Sequence, residues 1–485
     1  MARFLAADAF GSGADELVLL PFNFERMGGE QFLVSNLVGD FVRLTEDELN
    51  RLIDLQLRPG DGLYEKAYTA HLVTGTCQKA QQQLLALRLR SRMSFLREVT
   101  PLHMFVVTLR CEHSCPYCQV SRQSTDRSKF DMSEATAQRA LDIAFESKSS
   151  RIKIEFQGGE PLLNFGLVKT IVGSAKARSE RIGKKVDFVI ATNLALLDDE
   201  VLNFCKSNEI LLSTSLDGPA DLHNKNRPRP GGNSYELAVN GIRRAQEALG
   251  PDRVGALMTT TESSLERIDE IIDEYLKLGL DGIFLRPISP FGFAIKTKQY
   301  HRYTADNWLK FFERGLRLIL EINHQGTPFR EFYSALILTR MLTDKPIGYV
   351  DLRSPAGIGI GALVYNYDGN VFASDEGRML AETGDNAFRL GHVDTDNYLS
   401  LVLSDVLVDA VSDSLTQCAP ECSSCVFESH CGANPVHHHA TQGDSLGIKP
   451  LSDFCARQKG TMHLLLELLE NSPKDAAVLR SWAGT

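Results

Sequence analysis

Three thiols fall close together in the stretch TLRCEHSCPYCQVSR at 108–122: Cys111, Cys115 and Cys118. A tetrahedral zinc ion or a closed iron–sulfur cubane takes four protein ligands, and no fourth cysteine follows. Thiolates at this spacing can hold three irons of a cubane and leave the fourth iron for a ligand that is not protein. Half of a zinc site is the competing reading. A second group lies far along the chain, at Cys418, Cys422, Cys425, Cys431 and Cys455, while Cys77 and Cys205 stand apart. Cys205 lies in the helix-like DDEVLNFCKS and reads as a small buried apolar residue. Met1 to Ala14 lacks the basic start and apolar middle of a secretory signal, so clustered thiols point to metal, not to disulfides.

The chain has 485 residues, 43% apolar and 24% charged, enough for a large core divided among two or three domains. No apolar run reaches the roughly 20 residues that a membrane span needs, so a cytoplasmic location with no membrane partner is expected. The net charge of -10 gives no electrostatic footprint for a phosphate backbone, which argues against a nucleic-acid partner. A peptide or a small molecule fits better.

Six short β-rich runs position the first thiols: 103–110, 151–157, 186–192, 210–216, 254–260 and 282–288. They are near-continuously apolar, as strands covered on both faces are, and helical-period segments such as Ser133 to Glu146 and Tyr235 to Leu249 separate them. The alternation predicts an α/β fold, a partial (β/α)6 barrel of the TIM type spanning 101–325, with chemistry in the loops that follow the strands. The cysteine triplet directly follows the first run. Ahead of the barrel, two strands around Gly39-Asp40 and a capped helix from Thr45 form a winged-helix pattern within 1–76, and a helical linker covers 77–100. Beyond it, 326–485 holds the hairpin-like GALVYNYDGNVFAS and the second cysteine group.

With these residues in view, the chain resembles the radical S-adenosylmethionine (SAM) superfamily, whose CxxxCxxC loop follows the first strand. The resemblance implies a [4Fe-4S] cluster on Cys111, Cys115 and Cys118, with SAM chelating the open iron. It assigns Gly158, Gly159 and Glu160 of QGGEPLL to the cofactor's amino group. Asn193, Ser215 and Asp217 match polar positions around its ribose and carboxylate, and Arg227 of HNKNRP is expected near the cofactor. Phe284, Leu285 and Arg286 are expected as the adenine-side wall, with a core role as the alternative. The implied chemistry is reductive cleavage of SAM and abstraction of a hydrogen atom from an unactivated substrate position.

The segment from CAPECSSCVFESHCGANP to DFCAR resembles the SPASM extension of peptide-modifying radical SAM enzymes. Cys422, Cys425, Cys431 and Cys455 match the ligands of its outer cluster. The inner cluster's cysteines are missing: Ser374 stands in place of one and Pro435 in place of another. One auxiliary [4Fe-4S] cluster is therefore expected, with a structural zinc knot as the alternative. Cys418 reads as a loop cysteine, His437, His438 and His439 as an exposed loop, and Asp375 as a candidate proton acceptor or a capping residue.

The winged-helix pattern resembles the PqqD-like peptide-recognition element of ribosomal peptide maturases, in which a leader peptide adds a strand to a sheet edge. Together with the reduced cysteine pattern, it looks closest to the larger radical SAM maturase of the His-Xaa-Ser peptide system. That implies a precursor peptide with a leader, a flavodoxin- or ferredoxin-type electron donor and a second radical SAM partner. The expected reaction is oxidation of the peptide, ending in a side-chain cross-link. Oxidation of Cys or Ser in the manner of sulfatase maturases, and epimerisation, are the alternatives.

Overall fold

Apolar runs separated by capped helices build a parallel sheet, whose strand order is given by a computed structural model. It describes residues 16–76 and 79–485, so Cys77 and the stretch Met1 to Ala14 lie outside the described residues. The chain enters through β1 (Leu17–Leu19) and then forms an antiparallel three-stranded sheet of β2 (Phe22–Gly28), β3 (Gln31–Asn36) and β4 (Phe41–Thr45). The sequence pattern shows β3, the turn and β4 but not β2. That edge strand carries Asn23, Glu25 and Arg26 among its apolar residues and buries none of them fully. Thr45 accepts the Glu48 amide and Glu48 accepts the Thr45 amide, so helix Glu46–Ile53 starts at a capping box. Helix Gly62–Thr69 and β5 (Val73–Gly75), paired with β1, close a unit with its own core of Phe32, Val34, Leu44, Leu49 and Leu52.

Helix Lys79–Arg92 leads to β6 (Leu102–Thr108), after which β7 (Arg151–Gly158), β8 (Lys185–Ala191), β9 (Leu211–Ser215) and β10 (Val254–Thr259) each add parallel to the strand before. The sixth run is broken where one strand was expected. It divides into β11 (Gly282–Ile283) and β12 (Leu285–Arg286); β12 joins β10, while β11 pairs with β13 (Arg330–Glu331). The fully buried Glu331 carboxylate accepts the Leu285 amide at 3.2 Å and the Ser334 amide at 2.5 Å, which accounts for the divergence.

The expected hairpin forms β14 (Ala362–Tyr365) and β15 (Asn370–Phe372), with Gly369 at φ +89° in the turn. β14 lies parallel to β6, and β15 is followed by antiparallel β16 (Arg389–His392), giving one nine-stranded sheet ordered β12-β10-β9-β8-β7-β6-β14-β15-β16. The apolar core also continues across residue 325: Phe156, Tyr365, Val426 and Leu479 belong to one buried cluster. Because β6 to β10 and β12 are parallel, the loops leaving their carboxyl ends meet at one end of the sheet. Among the described residues, no helix is long and apolar enough to cross a membrane.

The N-terminal unit rests against the second cysteine group. Phe41 stacks on His430 with 4.9 Å between ring centroids, and Asn23 Nδ2 donates to the Cys425 carbonyl at 3.0 Å. Lys459 pairs with Glu25 at 2.9 Å. Burial holds the His430 ring neutral, well below the usual imidazole range, and Nε2 lies 2.7 Å from the Gly39 carbonyl that accepts its proton. Gly39 itself has φ +83°, and a Cβ there would stand 2.1 Å from His430 Nε2. Gly39→Ala therefore combines a left-handed backbone cost of about 1–2 kcal/mol with displacement of His430. Amide exchange over 31–45 should accelerate while β6 and β7 stay protected; unchanged exchange in 31–45 would show that the docking does not pass through this turn.

Candidate active site

The loop after β6 carries Cys111, Cys115 and Cys118, and all three line one cavity of about 290 Å³. Its shape is fixed from three sides. The Ser114 amide donates to the Pro228 carbonyl at 2.7 Å, Thr297 Oγ1 donates to the Pro116 carbonyl at 2.7 Å, and the Phe293 amide donates to the Cys118 carbonyl at 2.8 Å. Gly292 permits that last approach: its φ is +57°, and a Cβ would lie 2.2 Å from the Gln119 carbonyl oxygen. Within this strap at 292–297 the loop is held by backbone groups and the Thr297 hydroxyl, in no motif that would mark it in the sequence.

Gly158 and Gly159, at the end of β7, also line the cavity. A Cβ on Gly158 would stand 1.8 Å from the Thr108 carbonyl oxygen, and one on Gly159 2.3 Å from that of Arg110. The glycines thus let the β7 loop lie directly on the backbone from which the cysteine loop departs, whatever else they face. Asn193, following β8, and Ser215, ending β9, line the same cavity. Asn193 Nδ2 donates to Glu112 Oε1 at 2.8 Å and so ties its loop to that of the cysteines.

Three residues expected at the cavity are placed elsewhere. Glu160 is fully buried and is absent from the lining; it accepts Thr192 Oγ1 at 2.7 Å and the amides of Asn193 and Leu162 at 2.8 and 3.0 Å. Burial, with Glu112 nearby, pushes its carboxyl up. Its hydrogen bonds join the loop after β7 to the loop after β8. Asp217 is also fully buried, and accepts Tyr117 Oη at 2.5 Å, Arg227 Nε and Nη2 at 3.0 and 3.2 Å, and the Thr259 amide at 3.2 Å. Burial raises that carboxyl, but Arg227 outweighs the effect and holds it below the usual carboxylate range. Arg227, so fixed, is the member of the pair that reaches the cavity. Leu285 is a core residue, 2.9 Å from where a Gly315 Cβ would lie. Arg286, expected beside it, does line the cavity, as does Leu257, while Phe284 lines a second one. The alternation of β10 is the signal that could have found Leu257: Leu257 and Thr259 face the cavity while Met258 is completely buried.

Asp375 lines the cavity and opens helix Asp375–Ala381, but the cap itself is Ser374, whose Oγ accepts the Gly377 amide at 3.1 Å. Asp375 Oδ1 is held by Nε and Nη2 of the fully buried Arg378 at 3.0 and 2.9 Å. A second cavity of about 270 Å³ adjoins the first and shares Glu155, Gln157, Leu257, Arg286 and Asp375 with it. Sequence reasoning did not reach its acids Glu155, Asp351 and Glu376, which lie on three separate segments. Burial pushes all three carboxyls up.

The donor set at the triplet suits iron bound by three thiolates. Burial pushes the Cys111 and Cys115 thiols up, Cys115 to about 12, so their thiolate forms need a cation among them. In the second group, burial raises the Cys431 thiol, and Cys455, Cys425 and Cys422 add to the rise. Among the described residues, the only trio of candidate ligand atoms all within 4.8 Å is Cys111, Glu112 and His113. Cys418 is exposed.

The histidines correct the expectation of an exposed loop. They lie in helix Pro435–Gln442, which starts at Asn434 and has Pro435 in its first turn, a favoured position for proline. His437 and His438 are buried and held neutral, and His439 pairs with Asp385 at 2.7 Å.

Residues 105–275 match the model of the Radical SAM superfamily. An uncharacterised protein of Methanocaldococcus jannaschii is 27% identical over 185 residues, 38% of this chain and 61% of that protein. The chain thus spans somewhat under two thirds of that relative. In fold it is similar to anSMEcpe with bound AdoMet, at a TM-score of 0.62 and 17% identity over 79% of this chain and 100% of that one. SuiB of Streptococcus suis, solved with its precursor peptide SuiA, gives 0.52 and 14% identity over 88% of this chain and 97% of that one.

Cys115→Ala should reduce formation of 5'-deoxyadenosine from SAM under a strong reductant to background. Chromatography of the nucleoside products measures it, and a wild-type rate would remove the triplet from the chemistry.

Proposed function

We propose that the chain oxidatively modifies a ribosomally synthesised precursor peptide, of the His-Xaa-Ser type, and that the modification is a side-chain cross-link. The observation that carries this reading is the pair of joined cavities. The first is walled by the cysteine loop, Gly158, Gly159, Asn193, Ser215 and Arg227, and beside it lies a second of similar size with room for a substrate residue. When bound, SAM and a cluster on Cys111, Cys115 and Cys118 supply hydrogen-atom abstraction from an unactivated carbon.

The chain's own residues perform the rest. Arg227, fixed by Asp217, and Asn193, fixed by Glu112, present polar groups to the SAM cavity in set positions. The sheet, the stretch before β14 and the helix after β15 line the second cavity and reduce the access of water to the reacting position. Cys422, Cys425, Cys431 and Cys455 are suited to hold one auxiliary cluster. The leader has a binding edge at β2, which pairs only with β3 among the described residues. The fold likeness to SuiB, whose structure was solved with a precursor peptide, supports a peptide substrate. Epimerisation needs a hydrogen donor, and Cys418, the candidate for it, lines neither cavity.

Incubating the anaerobically reconstituted protein with SAM, a reductant and the precursor peptide encoded beside it should lower the peptide's mass by two hydrogens. High-resolution mass spectrometry reads this, and fragmentation locates the bond. Deoxyadenosine formation with no change in peptide mass would reject oxidative maturation. In the same assay, Cys425→Ala should spare SAM cleavage and suppress the modified peptide; a fully active variant would exclude the auxiliary cluster from the reaction.

A further inference from the structure

The second cavity holds more carboxylates than its surroundings neutralise. Asp375 has Arg378, but among the described residues Glu155, Asp351 and Glu376 have no ion pair. Glu155 accepts Gln157 Nε2 at 2.7 Å and Asp351 accepts Asn434 Nδ2 at 3.1 Å, both neutral donors. Arg286 borders both cavities and is likewise in no ion pair, so one guanidinium stands among three carboxyls. Buried carboxylates are costly unless a cation joins them.

A second feature lies beside the acids. Asp351, Glu376 and Arg286 also line a smaller recess of about 70 Å³, together with Trp308, His437 and Arg457. His437 is 4% exposed, and its Nε2 has no hydrogen-bond partner among the described residues. Buried polar atoms are seldom left so, and a neutral imidazole nitrogen can accept from a cationic group, whereas the equally unpartnered Trp308 Nε1 can only donate. Tyr349 and Phe284 line both the recess and the second cavity, and aromatic rings are compatible neighbours of a cation.

We propose that this acidic annex, continuous with the cavity over the cysteine loop, binds a basic side chain of the substrate, an ammonium, guanidinium or imidazolium. It lies close in the peptide to the residue that reacts. The proposal deepens the peptide-maturation reading and rests on it for the identity of the substrate. The cation is held by Asp351, Glu376 and Glu155, and the shared wall of Arg286 and Leu257 sets its distance from the reacting residue.

Small probes test the annex apart from any peptide. Nα-acetyl-lysine methylamide, Nα-acetyl-norleucine methylamide and Nα-acetyl-glutamate methylamide are titrated against the reconstituted, SAM-loaded full chain, with saturation-transfer NMR as the readout. Charge-assisted hydrogen bonds of the expected strength give the lysine probe an advantage of roughly tenfold or more over norleucine. The double variant Asp351→Asn with Glu376→Gln should lose that advantage while SAM affinity stays unchanged. If the double variant does not fold, Glu155→Gln alone should reduce the same ratio. Equal binding of norleucine, preference for the glutamate probe, or lysine selectivity undiminished in the folded variants would overturn the proposal. Lysine selectivity together with an unmodified precursor upholds the annex and refutes the maturation reading.

Discussion

One buried carboxylate holds the site together. Asp217 receives the Tyr117 hydroxyl from within the cysteine loop, the Arg227 guanidinium from the segment after β9, and the Thr259 amide at the end of β10. Removing one partner of such a pair leaves an uncompensated charge in the interior, at a cost of about 3–5 kcal/mol. A loop with three thiols has little apolar surface of its own with which to settle on the sheet. Its position comes from Asp217, from the carbonyls that the glycines at 158–159 approach, and from the strap at 292–297. The reactive geometry is therefore set by polar ties across strand ends, while the apolar core beneath supplies the bulk of the stability.

A second set of ties joins the two ends of the chain. The turn at 36–40 meets His430, β2 meets Cys425 and Lys459, and Arg88 bridges Asp40 and Asp344. The N-terminal sheet consequently sits against the loop that carries the second thiol group. A strand added at the β2 edge would lie near those thiols.

Charge is distributed unevenly around the two cavities. Over the cysteine loop, Arg227 and Arg286 face a space from which Glu160 and Asp217 are withdrawn into hydrogen bonds with the protein, and of its lining acids Glu155 and Asp375 the second is paired with Arg378. Beyond Arg286 the acids increase, because Asp351 and Glu376 join Glu155 without ion pairs among the described residues. A zwitterionic cofactor carboxylate suits the first environment and a cationic group the second. Arg286 stands at the boundary and separates the two preferences.

Much of this could be read from the sequence. Near-continuous apolar runs with capped helices between them fix a parallel sheet, because strands covered on both faces permit few other patterns. The triplet's place after β6, the hairpin at Gly369 and the helix at Thr45 follow from local chemistry that acts over a few residues. What the sequence left undecided depends on contacts between distant segments. Glu160, Asp217 and Leu285 have the residue types of ligand-binding positions, yet whether each faces a cavity or a neighbouring loop is decided by packing. The His437 to His439 run is polar by composition, but helix Pro435–Gln442 turns two of its members inward. The acids of the annex come from β7, from the stretch before β14 and from the helix after β15. Only the addition of β14 beside β6 brings them to one space, and no periodicity within a segment encodes which strands become neighbours.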